Sequence, residues 1–144
     1  MREGGQVTGP YGIGLLEGTA YDGTALGTAP FKEGMVDFDF LVRGFKSLYR
    51  IVLLGGPSFR YSTQEASAKN IQVLSEFQSI REPAMIRFSY GHGRVFLTGP
   101  HPEVEETRLN WGAKFKDPDS EWLFLKWMIN DTFSLRPSSV SGSR

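Results

Sequence analysis

The stretch 36–42 alternates apolar and polar side chains. Val36, Phe38, Phe40 and Val42 point one way, and Asp37 and Asp39 point the other. This two-residue period predicts a half-buried strand. It places the two aspartates on a solvated face rather than in a catalytic pair. Residues 49–54 are apolar apart from Arg50 and stop at Gly55-Gly56-Pro57. Such a run predicts a strand covered on both faces or nearly so. Residues 71–77 form a weaker strand pattern. Residues 84–90 alternate again, with Ile86, Phe88 and Tyr90 opposite Arg87 and Ser89. Gly91-His92-Gly93 follows, and glycine suits the positive φ that a tight hairpin needs. A β-hairpin is therefore expected, with 94–98 as its buried second strand and His92 as a turn residue.

The last patterned segment is helical. Asp117 suits a first-turn cap and Pro118 the first helical position, ahead of a helix over 119–133. Trp122, Leu125, Ile129 and Phe133 fall on one stripe, widened by Leu123, Phe124, Trp127 and Met128. A face this broad is expected to pack on a sheet or a partner. Upstream, residues 1–34 carry nine glycines around one short apolar stretch at 13–16, which reads as turns. The glycines from Gly9 to Gly14 lack the Gly-Lys-Ser/Thr ending and the strand–loop–helix setting of a phosphate loop. Residues 1–136 are read as one partial domain with a flexible Gly-rich start over 1–11. The serine-rich tail 137–144 is read as disordered.

Composition narrows the functional classes. The chain has 144 residues, is 40% hydrophobic and 13% aromatic, and suits one core. Sixteen basic and sixteen acidic residues cancel, and no basic stripe appears, so nucleic acid is not an expected partner. No apolar run approaches the roughly 20 residues of a membrane span, so no membrane partner is expected. The start lacks an apolar signal core. If the protein begins at Met1, the expected location is cytoplasmic; if Met1 is internal, that inference lapses. There is no cysteine, hence no disulfide and no thiolate metal site. His92 and His101 are too few for a typical zinc site, and neither metal nor cofactor is expected.

The chemistry gathers in Gly99-Pro100-His101-Pro102-Glu103, at the carboxyl end of the hairpin's second strand. Histidine serves as a general base because its pKa lies near neutrality. Glu103 is placed to hold one ring nitrogen protonated if Pro102 bends the chain so that both side chains turn inward. The bland reading is a proline-rich loop with one exposed histidine.

The segment from Tyr90 to Glu103 resembles the closing hairpin of class I glutamine amidotransferase-like domains. Within that superfamily the chain is most similar to the biotin–protein ligase amino-terminal domain family. The segment Tyr49-Arg-Ile-Val-Leu-Leu-Gly-Gly-Pro-Ser-Phe59 and the helix opening Asp119-Ser-Glu-Trp122 fit the same family. The resemblance spans about 12–133 and covers the later half of the family's domain. It implies an α/β fold: a partial flavodoxin-like sheet with helices on both faces, a β-hairpin and a C-terminal helix. It also implies His101 as base and Glu103 as its orienting acid.

In the family a thiol on a sharp strand-to-helix turn attacks a carbonyl, while backbone amides hold the oxyanion. Here that thiol is lacking. Ser58 is the nearest serine alternative, but its surroundings lack the second glycine and the following helix of a nucleophile elbow. The chain alone is thus expected to be inactive, with His101 and Glu103 vestigial. The missing strands imply a long unpaired sheet edge, to be covered by a second chain or an absent N-terminal half.

Two other readings stay open. One is a non-catalytic module that binds a small ligand in the old pocket. The other is a β-rich interaction domain with a coincidental His-Pro-Glu. Antiparallel pairing of 51–54 with 95–98 in a closed sandwich favours the interaction domain. Parallel neighbours beneath the helix favour the first two readings.

Overall fold

The computed structural model describes residues 15–16, 19–21, 34–104 and 121–133. Among these residues, seven strands and two helices follow in chain order: β1 (Thr19–Tyr21), β2 (Gly34–Phe40), β3 (Leu48–Leu53), β4 (Ser58–Arg60), α1 (Thr63–Lys69), β5 (Gln72–Phe77), β6 (Pro83–Tyr90), β7 (Gly93–Thr98) and α2 (Trp122–Phe133). Five strands form one sheet in the order β3-β2-β5-β6-β7, and β1 pairs with β4 in a separate ribbon. The protein is mixed α/β.

Every pairing in the five-stranded sheet is antiparallel. This corrects the expectation of a flavodoxin-like sheet, which is parallel. The reason lies in the connections. Residues 41–47 link β2 to β3, 78–82 link β5 to β6, and Gly91-His92 links β6 to β7. Links this short join antiparallel neighbours, whereas a parallel pair needs a crossover of about a dozen residues or more. Only β3 to β5 has a long connection, and it carries β4 and α1. Nor are β3 and β7 a pair: they are the two edges of the sheet. Neither arrangement posed as a discriminator is therefore present.

The alternation in β2 is as the sequence predicts. Phe38 and Phe40 are buried, while Asp37 pairs with Arg50 of β3 and Asp39 with Arg81. Ile51, Val52 and Leu53 are fully buried, as expected for a strand covered on both faces. On one face Phe38, Phe40, Ile51, Leu53, Phe77 and Met85 pack beneath Phe124 and Met128 of α2. On the other, Ile86 and Phe88 pack with Phe59 of β4 and with Leu15 and Leu16. In β5 the register slips around Leu74 and Ser75. Both residues are buried as a result, which blurs the alternation and explains the weak strand signal.

The hairpin is present: Tyr90 pairs with Gly93 across a two-residue loop, and Gly91 takes φ 57°. Its second strand differs from expectation. Because β7 is an edge, Gly93 and Arg94 are exposed and residues 95–98 only half-buried. Two elements go beyond the sequence reading. One is the ribbon of β1 and β4. The other is α1, which Ser62 caps by accepting from the Glu65 backbone N–H at 3.0 Å. The spacing Ser62-x-x-Glu65 was the available signal.

The helix face is also corrected. Phe124 meets Phe40 edge-on at 4.6 Å and Phe45 at 5.4 Å, and Trp127 meets Phe96 at 6.0 Å. Trp122 and Ile129, from the expected stripe, are half exposed, and Leu123 is more so. They line a shallow groove of about 330 Å³ with Leu125 and Lys126. Apolar residues run all round this helix, so periodicity alone singles out no face. The cap at Asp117 and Pro118, the side chain of Phe133, the start 1–11, the glycine segment 9–14 and the tail 137–144 lie outside the described residues.

Candidate functional site

The site begins where β7 ends. The Gly99 N–H donates to the Ala84 carbonyl at 2.9 Å and extends the ladder with β6 by one bond. Pro100 then turns the chain away from the sheet. The Thr98 hydroxyl donates to the Pro100 carbonyl at 2.5 Å. The His101 N–H crosses to the far edge of the sheet and donates to the Val52 carbonyl of β3 at 2.8 Å. At that point the ends of the two edge strands are tied together, so the expected open edge is shortened there.

A turn follows. The Val104 N–H donates to the His101 carbonyl at 3.1 Å, enclosing Pro102 and Glu103. Proline at the second position of a β-turn has its φ already set. The turn folds Glu103 back on His101, and Nδ1 of the imidazole lies 2.8 Å from Oε1 of the carboxylate. Pro100 and Pro102 are buried and anchor both sides. The two functional side chains face outward rather than inward, at 33% and 48% exposure. Water therefore reaches both groups.

An ionised carboxylate only accepts hydrogen bonds. Next to Glu103, a neutral imidazole accordingly carries its proton on Nδ1 and donates it. This leaves the lone pair on Nε2, the form a general base requires. The geometry places an imidazole against a carboxylate, with Nε2 left open to a donor or acceptor from outside.

A glycine crossing supports this turn. A Cβ added to Gly56 would sit 1.6 Å from the Gly99 oxygen, and one added to Gly99 would sit 2.0 Å from the Pro57 oxygen. The two backbones touch, and only glycine permits it. Gly55 beside them takes φ 76°.

Ser58 stands apart from this chemistry. A helix does follow it, since α1 begins at Thr63, but Ser58 lies inside β4 rather than on an elbow. Its side chain is fully buried, and its hydroxyl donates to Glu82 at 2.5 Å. Arg60 donates to the other oxygen of the same carboxylate. Burial raises the Glu82 pKa, but the hydrogen bonds from Arg60 and Ser58 and the Arg60 charge outweigh it, so the carboxyl sits below its usual range. This triad of a buried serine and two more exposed charged residues was not legible from single-residue motifs, because Glu82 lies 24 positions from Ser58.

His92 sits exposed at the hairpin tip, at the opposite end of β7 from His101. A six-residue strand spans roughly 20 Å, too far for both rings to hold one ion. Among the described residues no cluster of three or more His, Asp or Glu side chains is placed to hold a metal. No described helix is long and apolar enough to cross a membrane. No protein-family model, curated protein or solved structure matches the chain.

Proposed function

We propose that this chain is the later part of a glutamine amidotransferase-like domain of the biotin–protein ligase amino-terminal type. In it the His–Glu pair persists without a cysteine among these 144 residues. The observation that carries the reading is the 2.8 Å contact between His101 Nδ1 and Glu103 Oε1, set by a proline turn at the end of a strand. The antiparallel sheet does not add to it, since a flavodoxin-like core is parallel. The chain has no cysteine, so it supplies a base and an orienting acid but no sulfur nucleophile. Acting alone, it does not split an amide.

Two measurements on the purified chain test this reading. Long-range proton–nitrogen spectra should show His101 with its proton on Nδ1, and Glu103→Ala should abolish that preference. Ammonia release from glutamine should stay at background. A His101 ring protonated on Nε2 defeats the paired-base reading. Glutamine hydrolysis that His101→Ala removes defeats the inactive one. A small-molecule thermal shift that depends on His101 but comes without turnover identifies a ligand-binding module instead.

A further inference from the structure

We infer that Gly56 is a positioning residue for His101, acting through a backbone clasp between two loops distant in sequence. The first loop is Gly55-Gly56-Pro57, which follows β3. The second is Gly99-Pro100-His101-Pro102, which follows β7. The contact is mutual: a side chain on Gly56 meets the Gly99 carbonyl, and a side chain on Gly99 meets the Pro57 carbonyl. Both carbonyls belong to backbone, so neither swings aside as the end of a flexible side chain does.

The clasp determines where the imidazole stands. With the two loops in contact, the His101 N–H reaches the Val52 carbonyl at 2.8 Å. Val52 is fully buried in β3, which makes it a rigid anchor. Two residues earlier, the Gly99 N–H is held by Ala84 of β6. The segment carrying His101 is thus pinned to the edge strand β3 and to the interior strand β6, and the turn through Pro102 then delivers Glu103. Pushing Gly56 and Gly99 apart by one methyl group breaks the Val52 bond first, because that bond spans the gap. The imidazole–carboxylate pair is open to solvent, and among the described residues it is held through its own turn, so it follows the backbone.

A comparison position separates this role from general backbone strain. Gly44, in the loop 41–47, takes φ 95°, and a Cβ there meets nothing within 4 Å. Gly44→Ala therefore strains the backbone without touching the clasp.

The test is native-state amide exchange together with the His101 nitrogen spectrum. In the unaltered chain the His101 amide should exchange roughly a hundredfold slower than a free peptide amide. Free exchange at His101 while Phe77 and Ile86 stay protected overturns the clasp. Folded Gly56→Ala should keep protection at Phe77 and Ile86 but lose it at His101, along with the Nδ1-proton signature. Gly44→Ala should keep both. A folded Gly56→Ala that retains the His101 protection and signature also overturns the inference. If Gly56→Ala does not fold, the exchange of the unaltered chain decides. The clasp is independent of the functional reading: a chain with no amidotransferase ancestry still shows it, and a loose clasp leaves the Nδ1–Oε1 pairing to be judged by its own spectrum.

Discussion

Asp131 on α2 lies 2.8 Å from the Arg87 guanidinium on β6 and ties the helix to the sheet on the side where Phe124, Trp127 and Met128 pack. Arg94 of β7 reaches the same carboxylate at 2.9 Å and the Asp131 backbone carbonyl at 3.1 Å. Arg87 also stands over the Trp127 ring, 5.6 Å from its centroid. With Asp131 held there, Phe124, Trp127 and Met128 point down. The side chains of Asp131 and Arg87 are only about a fifth exposed, so solvent screens this bridge less than a surface pair. Asp131→Ala should destabilise the chain by about 1.5–3 kcal/mol, as for a hydrogen bond between charged groups. Denaturant unfolding measures this, and an unchanged midpoint would mean that packing alone orients the helix.

Phe124 and Leu123 are neighbours in sequence with opposite fates. Phe124 is 1% exposed and Leu123 is 68% exposed. Phe124→Ala opens a cavity among Phe40, Phe45 and Trp127 and should cost about 3–5 kcal/mol. Leu123→Ala removes little burial and should stay within about 0.5 kcal/mol. Equal losses in the two variants would show that Leu123 is packed as tightly as Phe124.

Acid should weaken the fold through Glu82 and Asp37. Hydrogen bonding to Arg50 holds the Asp37 carboxyl below its usual value, outweighing its partial burial. The Glu82 carboxyl is lowered by Arg60 and Ser58 against the opposing effect of its burial. A carboxylate whose pKa is depressed by folding stabilises the folded state above its unfolded pKa. That contribution fades as pH falls through the folded value. The window therefore opens near the ordinary values of 4.5 for Glu82 and 3.8 for Asp37 and extends downward. Unfolding midpoints taken from pH 7 to pH 3 should fall less steeply in Glu82→Gln than in the unaltered chain. Parallel curves would show that Glu82 is not linked to the acid transition.

Strands were legible where local pattern and burial coincide. In β2 one face is core and the other meets solvent through ion pairs, so alternation marks it. In β3 the residues 51–53 are covered on both faces, and an apolar run interrupted only by Arg50 marks the strand. The hairpin was legible because Gly91 needs a backbone conformation that few other residues tolerate. Around Leu74 and Ser75 a register slip puts two consecutive residues in the interior, and the period fails. At the site, residue types pointed to His101 and Glu103, but whether Pro102 would join them or splay them was a question of geometry. The Gly56–Gly99 crossing and the Ser58–Glu82–Arg60 triad gave no local signal, since their members lie far apart in sequence.

Side-chain periodicity, turn chemistry and the short links by themselves determined where the strands of the five-stranded sheet lie, where the hairpin turns and which residues are candidates for acid–base chemistry, because each depends on neighbours a few positions away. Tertiary structure alone decided that β3 and β7 form the two edges of the sheet, that Phe124 rather than Trp122 turns inward, and that Val52 anchors His101. Those outcomes depend on contacts between residues tens of positions apart, where steric fit and paired charge select one packing among several that the same local pattern allows.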